Sequence, residues 1–206
     1  MYKGFEMSNA DLRSGAAAEN VGVSPDDFRA VCGLFPTGVT VVTRNLSDGR
    51  PYGMTVSSFT SVSLFPPMIL VCIDRSAGFL EDLSTGLPFI VNVLSENQQN
   101  LAERFSSRRE DDRFAGLDWL ASWSNVPLLT GIAASFGCSL SRVVEGGDHL
   151  ILLGSVQQVL RHGDRSLVWC ESKYHCLPAV GTGEDDWRLF IIKNLVASSW
   201  SAFGDQ

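Results

Sequence analysis

The sequence lacks a long apolar run and a surplus of positive charge. Its longest apolar stretches, such as residues 68–73, are far shorter than the roughly 20 residues that a helix needs to cross a bilayer. Lys and Arg total 16 against 23 Asp and Glu, and the resulting net charge of −7 disfavours a nucleic-acid partner. The first residues show no basic segment followed by an apolar one. We therefore expect a cytoplasmic protein without a membrane segment.

Cysteine and histidine are scarce. The five cysteines are odd in number and lie mostly in apolar runs, which favours reduced, packed thiols over a disulfide framework. The three histidines and the absence of a CxxC pair leave no ligand spacing typical of zinc, so we expect no metal site. Walker, GxSxG and strand-linked GxGxxG motifs are also missing. If the chain is an enzyme, its reactive group is expected to come from a bound organic cofactor.

The composition favours one β-rich domain. With 206 residues, 45% of them hydrophobic, the chain is long enough for a single sizeable core, and 19 glycines indicate many turns. Residues 1–22 are small, polar and aperiodic and are predicted to form a flexible tail. The domain is predicted to span residues 23–177, and residues 178–206 form a C-terminal extension.

The periodicity predicts strands joined mostly by hairpins, with helices at the margins. Ser24, Pro25 and Asp27 predict a helix start, and apolar residues follow it on one helical face. Ser95 and Gln98 fit a capping box before a second helix. About seven extended runs are predicted, and they indicate an antiparallel barrel. These runs cover residues 39–43, 52–63, 68–74 (buried on both faces), 89–94, 136–141, 149–159 and 166–170.

Four segments carry a resemblance to a known family. They are FPTGVTVVT at 35–43, GMTVSSFTSVS at 53–63 with CIDRS at 72–76, FIVNVLS at 89–95, and GDH at 147–149. In this order and spacing they resemble the short-chain flavin reductases, the reductase components of two-component flavin-dependent monooxygenases. The resemblance covers residues 28–177. It implies a mainly β fold, the antiparallel, Greek-key, FMN-binding split β-barrel with peripheral helices, assembled as a homodimer with each flavin near the subunit interface.

Hydroxyl and arginine side chains are the first candidates for the flavin. Thr55, Ser57 and Ser58 place short hydroxyls on one stretch, suited to a ring edge and a sugar chain, although an exposed hydroxyl face is a common feature of strands. Arg75 and Ser76 follow a strand and could neutralise and hydrogen-bond a phosphate. An arginine at a strand end is otherwise more often a solvated charge.

The other cofactor candidates have structural alternatives. Ser95 and Gln98 are equally explained as a helix cap, and residues 36–38 as the turn between a helix and a strand. With the resemblance, the residues expected to bind the flavin are Pro36, Thr37, Gly38, Thr55, Val56, Ser57, Ser58, Cys72, Asp74, Arg75, Ser76, Phe79, Asn92, Ser95, Gln98 and Phe105.

The resemblance also implies three catalytic residues. It places the Gly-Asp-His triplet at the open face of the flavin, near the nicotinamide, so that Asp148 would orient or charge the imidazole of His149. Tyr174 matches a position near the chain end where an aromatic ring can cover the flavin or the nicotinamide. The adjoining residues 171–173 depart from the basic, glycine-containing stretch usual there.

The implied reaction is hydride transfer from C4 of NAD(P)H to N5 of FMN or FAD. Reduced flavin would then pass to a separate oxygenase component. Two alternatives stay open from the residues. One is a protein with tightly bound flavin that acts as an oxidase or a substrate-specific reductase, and the other is a flavin-binding protein without catalysis.

Overall fold

The structure of the chain is a computed structural model that describes residues 22–107, 113–163 and 165–177. The predicted tail lies outside these residues except for Gly22, and the predicted extension at 178–206 lies outside them entirely. In the described ranges no helix is long and apolar enough to span a membrane.

The described residues form two α-helices, two 3₁₀ turns and twelve strands. The helices are α1 (Pro25–Cys32) and α2 (Gln99–Ser106), and the 3₁₀ turns are Gly78–Leu80 and Trp123–Asn125. The strands are β1 (Thr37–Gly38), β2 (Thr40–Asn45), β3 (Pro51–Val56), β4 (Thr60–Leu64), β5 (Pro67–Asp74), β6 (Pro88–Val93), β7 (Trp119–Ala121), β8 (Pro127–Leu129), β9 (Ala134–Gly146), β10 (His149–Arg161), β11 (Leu167–Cys170) and β12 (Lys173–Cys176). The expectation of about seven strands is wrong, because short strands of two to four residues carry too little periodicity to be recognised in the sequence.

Seven strands form the main sheet in the order β3-β2-β6-β9-β10-β5-β4, with every pairing antiparallel. Its two edge strands, β3 and β4, follow each other in the chain. Between them Ser58 accepts the N–H of Cys72 on β5 at 2.9 Å and donates to the Cys72 carbonyl at 3.0 Å. These two bonds draw the edges of the sheet together. The predicted antiparallel split barrel is confirmed.

The smaller sheets flank the barrel. One has the order β1-β11-β12 and the other pairs β7 with β8. Two apolar clusters form the core, one on each face of β2 and β6: Val42 and Val91 belong to the first, Val41 and Ile90 to the second.

Burial on both faces was predicted for residues 68–74, and there the prediction is wrong. Ile69, Val71 and Ile73 are buried, whereas the alternating residues of β5 are only half-buried. The reason is the two-residue period of a strand whose outer face stays partly open.

The predicted single run at residues 52–63 is also corrected. It divides into β3 and β4 because the chain leaves the sheet at Ser57, and the Ser58 hydroxyl occupies the main-chain groups of Cys72 that a continuous strand would pair.

The first helix begins as predicted but packs differently from expectation. Ser24 Oγ accepts the N–H of Asp27 at 3.0 Å, and Pro25 occupies the first turn. The predicted apolar face is not buried: Phe28, Val31 and Phe35 are 63%, 68% and 73% exposed. Helix α1 therefore presents an apolar surface to its surroundings.

The second helix begins later than predicted. Gln98 is the residue that precedes its first turn, and Ser95 lies outside it. The Ser95 N–H donates to Gln98 Oε1 at 3.1 Å, while the Ser95 hydroxyl donates to the Gly131 carbonyl at 2.8 Å. The predicted role of Ser95 as the cap of this helix is therefore wrong, because its hydroxyl is used by a neighbouring loop.

Candidate flavin site

The register of β5 and β10 places six half-buried side chains on one face. Directly paired residues of antiparallel strands project to the same side. The pairs are Asp74 with His149, Cys72 with Ile151, and Leu70 with Leu153. We call this set the β5–β10 face: its middle is apolar and one end carries a carboxylate and an imidazole. Such a surface suits a flat apolar ring with polar edges.

Ser58 lies beside this face, because its hydroxyl bonds the main chain of Cys72. Ser57, the residue before it, is exposed. Thr55 is directed elsewhere, since its hydroxyl donates to the Ala102 carbonyl of α2 at 2.7 Å. Of the predicted hydroxyl cluster, the structure thus brings Ser58 to the β5–β10 face, leaves Ser57 exposed next to it in the chain and assigns Thr55 to helix packing.

The turn that follows β5 is held by its own polar groups. Asp74 Oδ1 accepts the Ser76 N–H at 2.7 Å and the Ser76 hydroxyl at 2.5 Å. The Ala77 N–H donates to the Asp74 carbonyl at 2.9 Å. Asp74 and Ser76, both predicted to bind the flavin, therefore lie together at the polar end of the face.

Arg75 does not lie in solvent. It is only 8% exposed, its Nε donates to the Gly147 carbonyl at 2.8 Å, and its backbone N–H donates to the Asp148 carbonyl at 3.1 Å. The carboxylate of Glu145 lies 3.9 Å from Nη2. The alternative of a solvated strand-end charge is thereby wrong, because the guanidinium packs against the turn between β9 and β10.

That turn carries the predicted catalytic pair. Gly147 has a φ of +72°, a left-handed conformation that favours glycine. The imidazole Nδ1 of His149 lies 2.8 Å from Asp148 Oδ1, and this hydrogen bond holds the pKa of the Asp148 carboxyl below its ordinary value. The His149 side chain is 42% exposed. A partly exposed imidazole with one nitrogen held by a carboxylate therefore stands at the end of the β5–β10 face.

A second group of candidates lies on the three-stranded sheet. Its register aligns Thr37 with Trp169 and Trp169 with Tyr174. The two aromatic rings meet edge to face with centroids 4.7 Å apart, and burial raises the pKa of Tyr174. Thr37 Oγ1 is buried without a hydrogen-bond partner among the described residues, an arrangement that suits a ligand group. Its neighbours Pro36 and Gly38 are exposed.

The side chains of four predicted flavin contacts are buried in the structure. Phe79 and Asn92 are 0% exposed, Phe105 is 1% and Val56 is 5%, so their side chains belong to the interior rather than to a surface that a ligand reaches. Asn92 Nδ2 donates to the Val41 carbonyl at 2.9 Å, and its Oδ1 accepts the N–H of Leu129 at 3.0 Å. These are structural roles that strand periodicity alone did not distinguish from binding.

Ser95 and Gln98 border a groove away from the β5–β10 face. Gln98 Nε2 donates to the Thr130 carbonyl at 2.8 Å, which fixes the loop before β9. A cavity of about 500 Å³ beside Ser95 is also lined by His162 and Arg165. The sequence analysis did not select these two residues as site candidates. It also did not select Ile151, Leu153 and Trp169, because the surroundings of all five residues depend on the register of distant strands.

The comparisons with known proteins agree with this fold. The family model described as "Flavin reductase like domain" matches residues 32–178. The chain belongs to the flavin reductase-like family.

Relatives and solved structures point the same way. The chain is 40% identical over 150 residues to the "Probable flavin reductase" of Rhizobium meliloti (strain 1021), covering 73% of this chain and 48% of that one. It is 37% identical over 194 residues to the reductase subunit HsaB of a flavin-dependent monooxygenase from Rhodococcus jostii (strain RHA1), covering 94% and 97%. The chain thus spans about half the length of the first relative and nearly all of the second. The structure of Streptomyces globisporus NADH:FAD oxidoreductase SgcE6 with NAD and FAD fragments matches with a TM-score of 0.69 and 37% identity, covering 82% of this chain and 100% of that one.

Proposed function

We propose that the chain is an NAD(P)H:flavin oxidoreductase that transfers hydride to FMN or FAD and supplies reduced flavin to a separate oxygenase. The observation that carries the proposal is the Asp148–His149 pair at the polar end of the half-buried β5–β10 face. The names of the relatives support it, since HsaB is the reductase subunit of a monooxygenase and SgcE6 was solved with NAD and FAD fragments.

The side chains fit a flavin in shape and polarity. Cys72, Ile151 and Leu153 offer an apolar floor, Ser57 offers an exposed hydroxyl at its edge, and Thr37 offers a buried oxygen that lacks a partner. A bound flavin supplies the hydride acceptor. The task of the chain is then to hold two rings in contact and to exclude water between them.

His149 and Tyr174 would act on the nicotinamide side. With Nδ1 held by Asp148, Nε2 is the imidazole nitrogen that can meet a substrate. The Trp169–Tyr174 pair offers an aromatic surface that can cover a ring.

The exposed apolar face of α1 supports a homodimer. Phe28, Val31 and Phe35 are each more than half exposed on one short segment, and apolar side chains of this size are usually covered by a partner. A second copy of the chain is the proposed partner. Replacing Phe28 and Val31 by Ser should halve the mass measured by light scattering; an unchanged mass would exclude this face.

The function is tested with the purified full chain. Consumption of NADH or NADPH, followed at the nicotinamide absorbance band, should require added or copurified FMN or FAD. No consumption with either flavin would refute the proposal. Yellow colour retained through gel filtration with slow turnover would instead indicate a protein with tightly bound flavin, and flavin binding without turnover a non-catalytic one.

His149 gives the test at residue level. His149→Ala should lower nicotinamide-dependent turnover by about 10²-fold, the effect of removing a positioned acid–base or contacting group, while flavin affinity stays near wild type. His175→Ala, on exposed β12, is the matched control and should retain turnover. Equal turnover in both variants would exclude His149 from the reaction.

A further inference from the structure

Arg75 makes a two-point attachment to the turn between β9 and β10. Its side-chain Nε–H and its backbone N–H donate to the consecutive carbonyls of Gly147 and Asp148, at 2.8 and 3.1 Å. The ion pair with Glu145 is long at 3.9 Å, and that carboxylate is 68% exposed, so it adds little. The strongest of these contacts is therefore a charge-assisted hydrogen bond to main chain.

The attachment lies next to the imidazole of His149. Asp74, one residue before Arg75, is the direct register partner of His149 across the two strands. Asp148, whose carbonyl accepts the Arg75 backbone N–H, bears the carboxylate that holds His149 Nδ1. Gly147 adopts a left-handed φ of +72°, which glycine takes up without strain, so the contacts from Arg75 are what fix the orientation of its carbonyl. A change in the Arg75 side chain would thus be transmitted from the Gly147 carbonyl to His149 through two consecutive peptide groups.

We propose that Arg75 is a positioning residue for His149 and that its contribution to the reaction is made through the Gly147 carbonyl rather than through a flavin phosphate. The inference rests on the proposed function. It assigns the guanidinium to the nicotinamide half of the reaction, and it is an alternative to the expectation that this arginine binds the flavin phosphate.

Two substitutions separate the two roles by atom position. Arg75→Gln keeps an N–H donor at the position of Nε and removes the charge. Arg75→Lys keeps the charge and places a methylene where Nε donated. A positioning role is therefore rescued by Gln and lost with Lys, whereas a phosphate role is rescued by Lys and lost with Gln. Arg50 is an exposed arginine in the turn between β2 and β3, so its Gln and Lys variants are matched controls that should behave as wild type.

The experiment measures nicotinamide turnover at saturating flavin and the ratio of FMN to riboflavin affinity. Arg75→Lys should lower turnover by about tenfold or more, the effect of losing one hydrogen bond made by a charged group, while Arg75→Gln stays within about threefold of wild type. Both should keep the wild-type FMN-to-riboflavin ratio. Turnover retained by Lys and lost with Gln, or a fall in FMN affinity with riboflavin unchanged, would overturn the proposal.

The wild-type chain gives a second test that does not depend on the folding of variants. The Arg75 Nε–H resonance should be protected from exchange in the free protein and should respond equally to FMN and riboflavin. A shift with FMN or inorganic phosphate that riboflavin does not produce would overturn the positioning role. If wild-type protein bound flavin but consumed no nicotinamide, the proposed function would fail, while the resonance and the affinity ratio would still decide what Arg75 contacts.

Discussion

Ser58→Ala tests whether one hydroxyl closes the barrel beside the proposed flavin site. The hydroxyl makes two hydrogen bonds to Cys72, at 2.9 and 3.0 Å, and alanine removes both. Each such bond contributes about 1 kcal/mol net, so the free energy of unfolding should fall by about 2 kcal/mol. For a domain of this size that corresponds to a decrease in Tm of roughly 4–8 °C.

The assay compares Ser58→Ala with Ser57→Ala by thermal and urea unfolding. Ser57 is exposed, so its variant should unfold within about 0.5 kcal/mol of wild type. Flavin affinity should fall in both variants, because Ser58 holds the main chain of Cys72 on the β5–β10 face and the exposed Ser57 hydroxyl is proposed to contact the flavin. A Ser58→Ala protein as stable as Ser57→Ala would refute the reasoning, since it would mean that the edges of the sheet are held together without the Ser58–Cys72 contact.

Two further predictions concern the core. In Gly154→Ala the new Cβ would lie 2.7 Å from Phe89 Cζ, and this overpacking should lower the free energy of unfolding by about 1–3 kcal/mol. In the control Gly137→Ala the new Cβ would lie 3.4 Å from Gln158 Cβ, so the loss should be smaller. Equal urea midpoints for the two variants would contradict this prediction. Burial raises the pKa of the Cys138 thiol from 9.0 to about 12, so this thiol ionises at a lower pH in the unfolded chain than in the folded one. The contribution of the neutral, buried thiol to the free energy of unfolding is therefore complete below pH 9 and is lost as the pH rises towards 12. The free energy of unfolding should therefore fall about 1.4 kcal/mol per pH unit more steeply in wild type than in Cys138→Ala over that range, and parallel pH profiles would argue against a buried thiol.

The elements that were predicted correctly are those whose signals are local. The start of α1 depends on Ser24, Pro25 and Asp27, which are adjacent in the chain and make their contacts with each other. The pairing of Asp148 with His149 is equally local. Such contacts need no knowledge of which distant strand lies alongside.

The errors at the site come from contacts between distant parts of the chain. Arg75 and Gly147 are 72 positions apart, and Thr55 and Ala102 are 47 apart. A strand-end arginine gives the same pattern whether it faces solvent, a phosphate or a turn, and only the register of β5 with β10 decides among them. The surroundings of Phe79 are also set by a distant part of the chain. Its position after the Arg75–Ser76 turn does not reveal that its ring lies in the core, with Arg44 Cζ 5.7 Å from the ring centroid.

The polar residues near the β5–β10 face therefore divide by what they contact. Ser58 and Arg75 donate to main-chain carbonyls, so their primary effect is on backbone position, and their loss changes the site by moving other groups. Asp148 and His149 contact each other and are open to solvent, so they can meet a substrate directly. In the proposed reaction the chain aligns two small molecules, so residues that hold the backbone of the site should also influence turnover. Substitutions that remove the main-chain hydrogen bond of a residue in the first group should change both stability and turnover, and substitutions in the second group should change turnover alone.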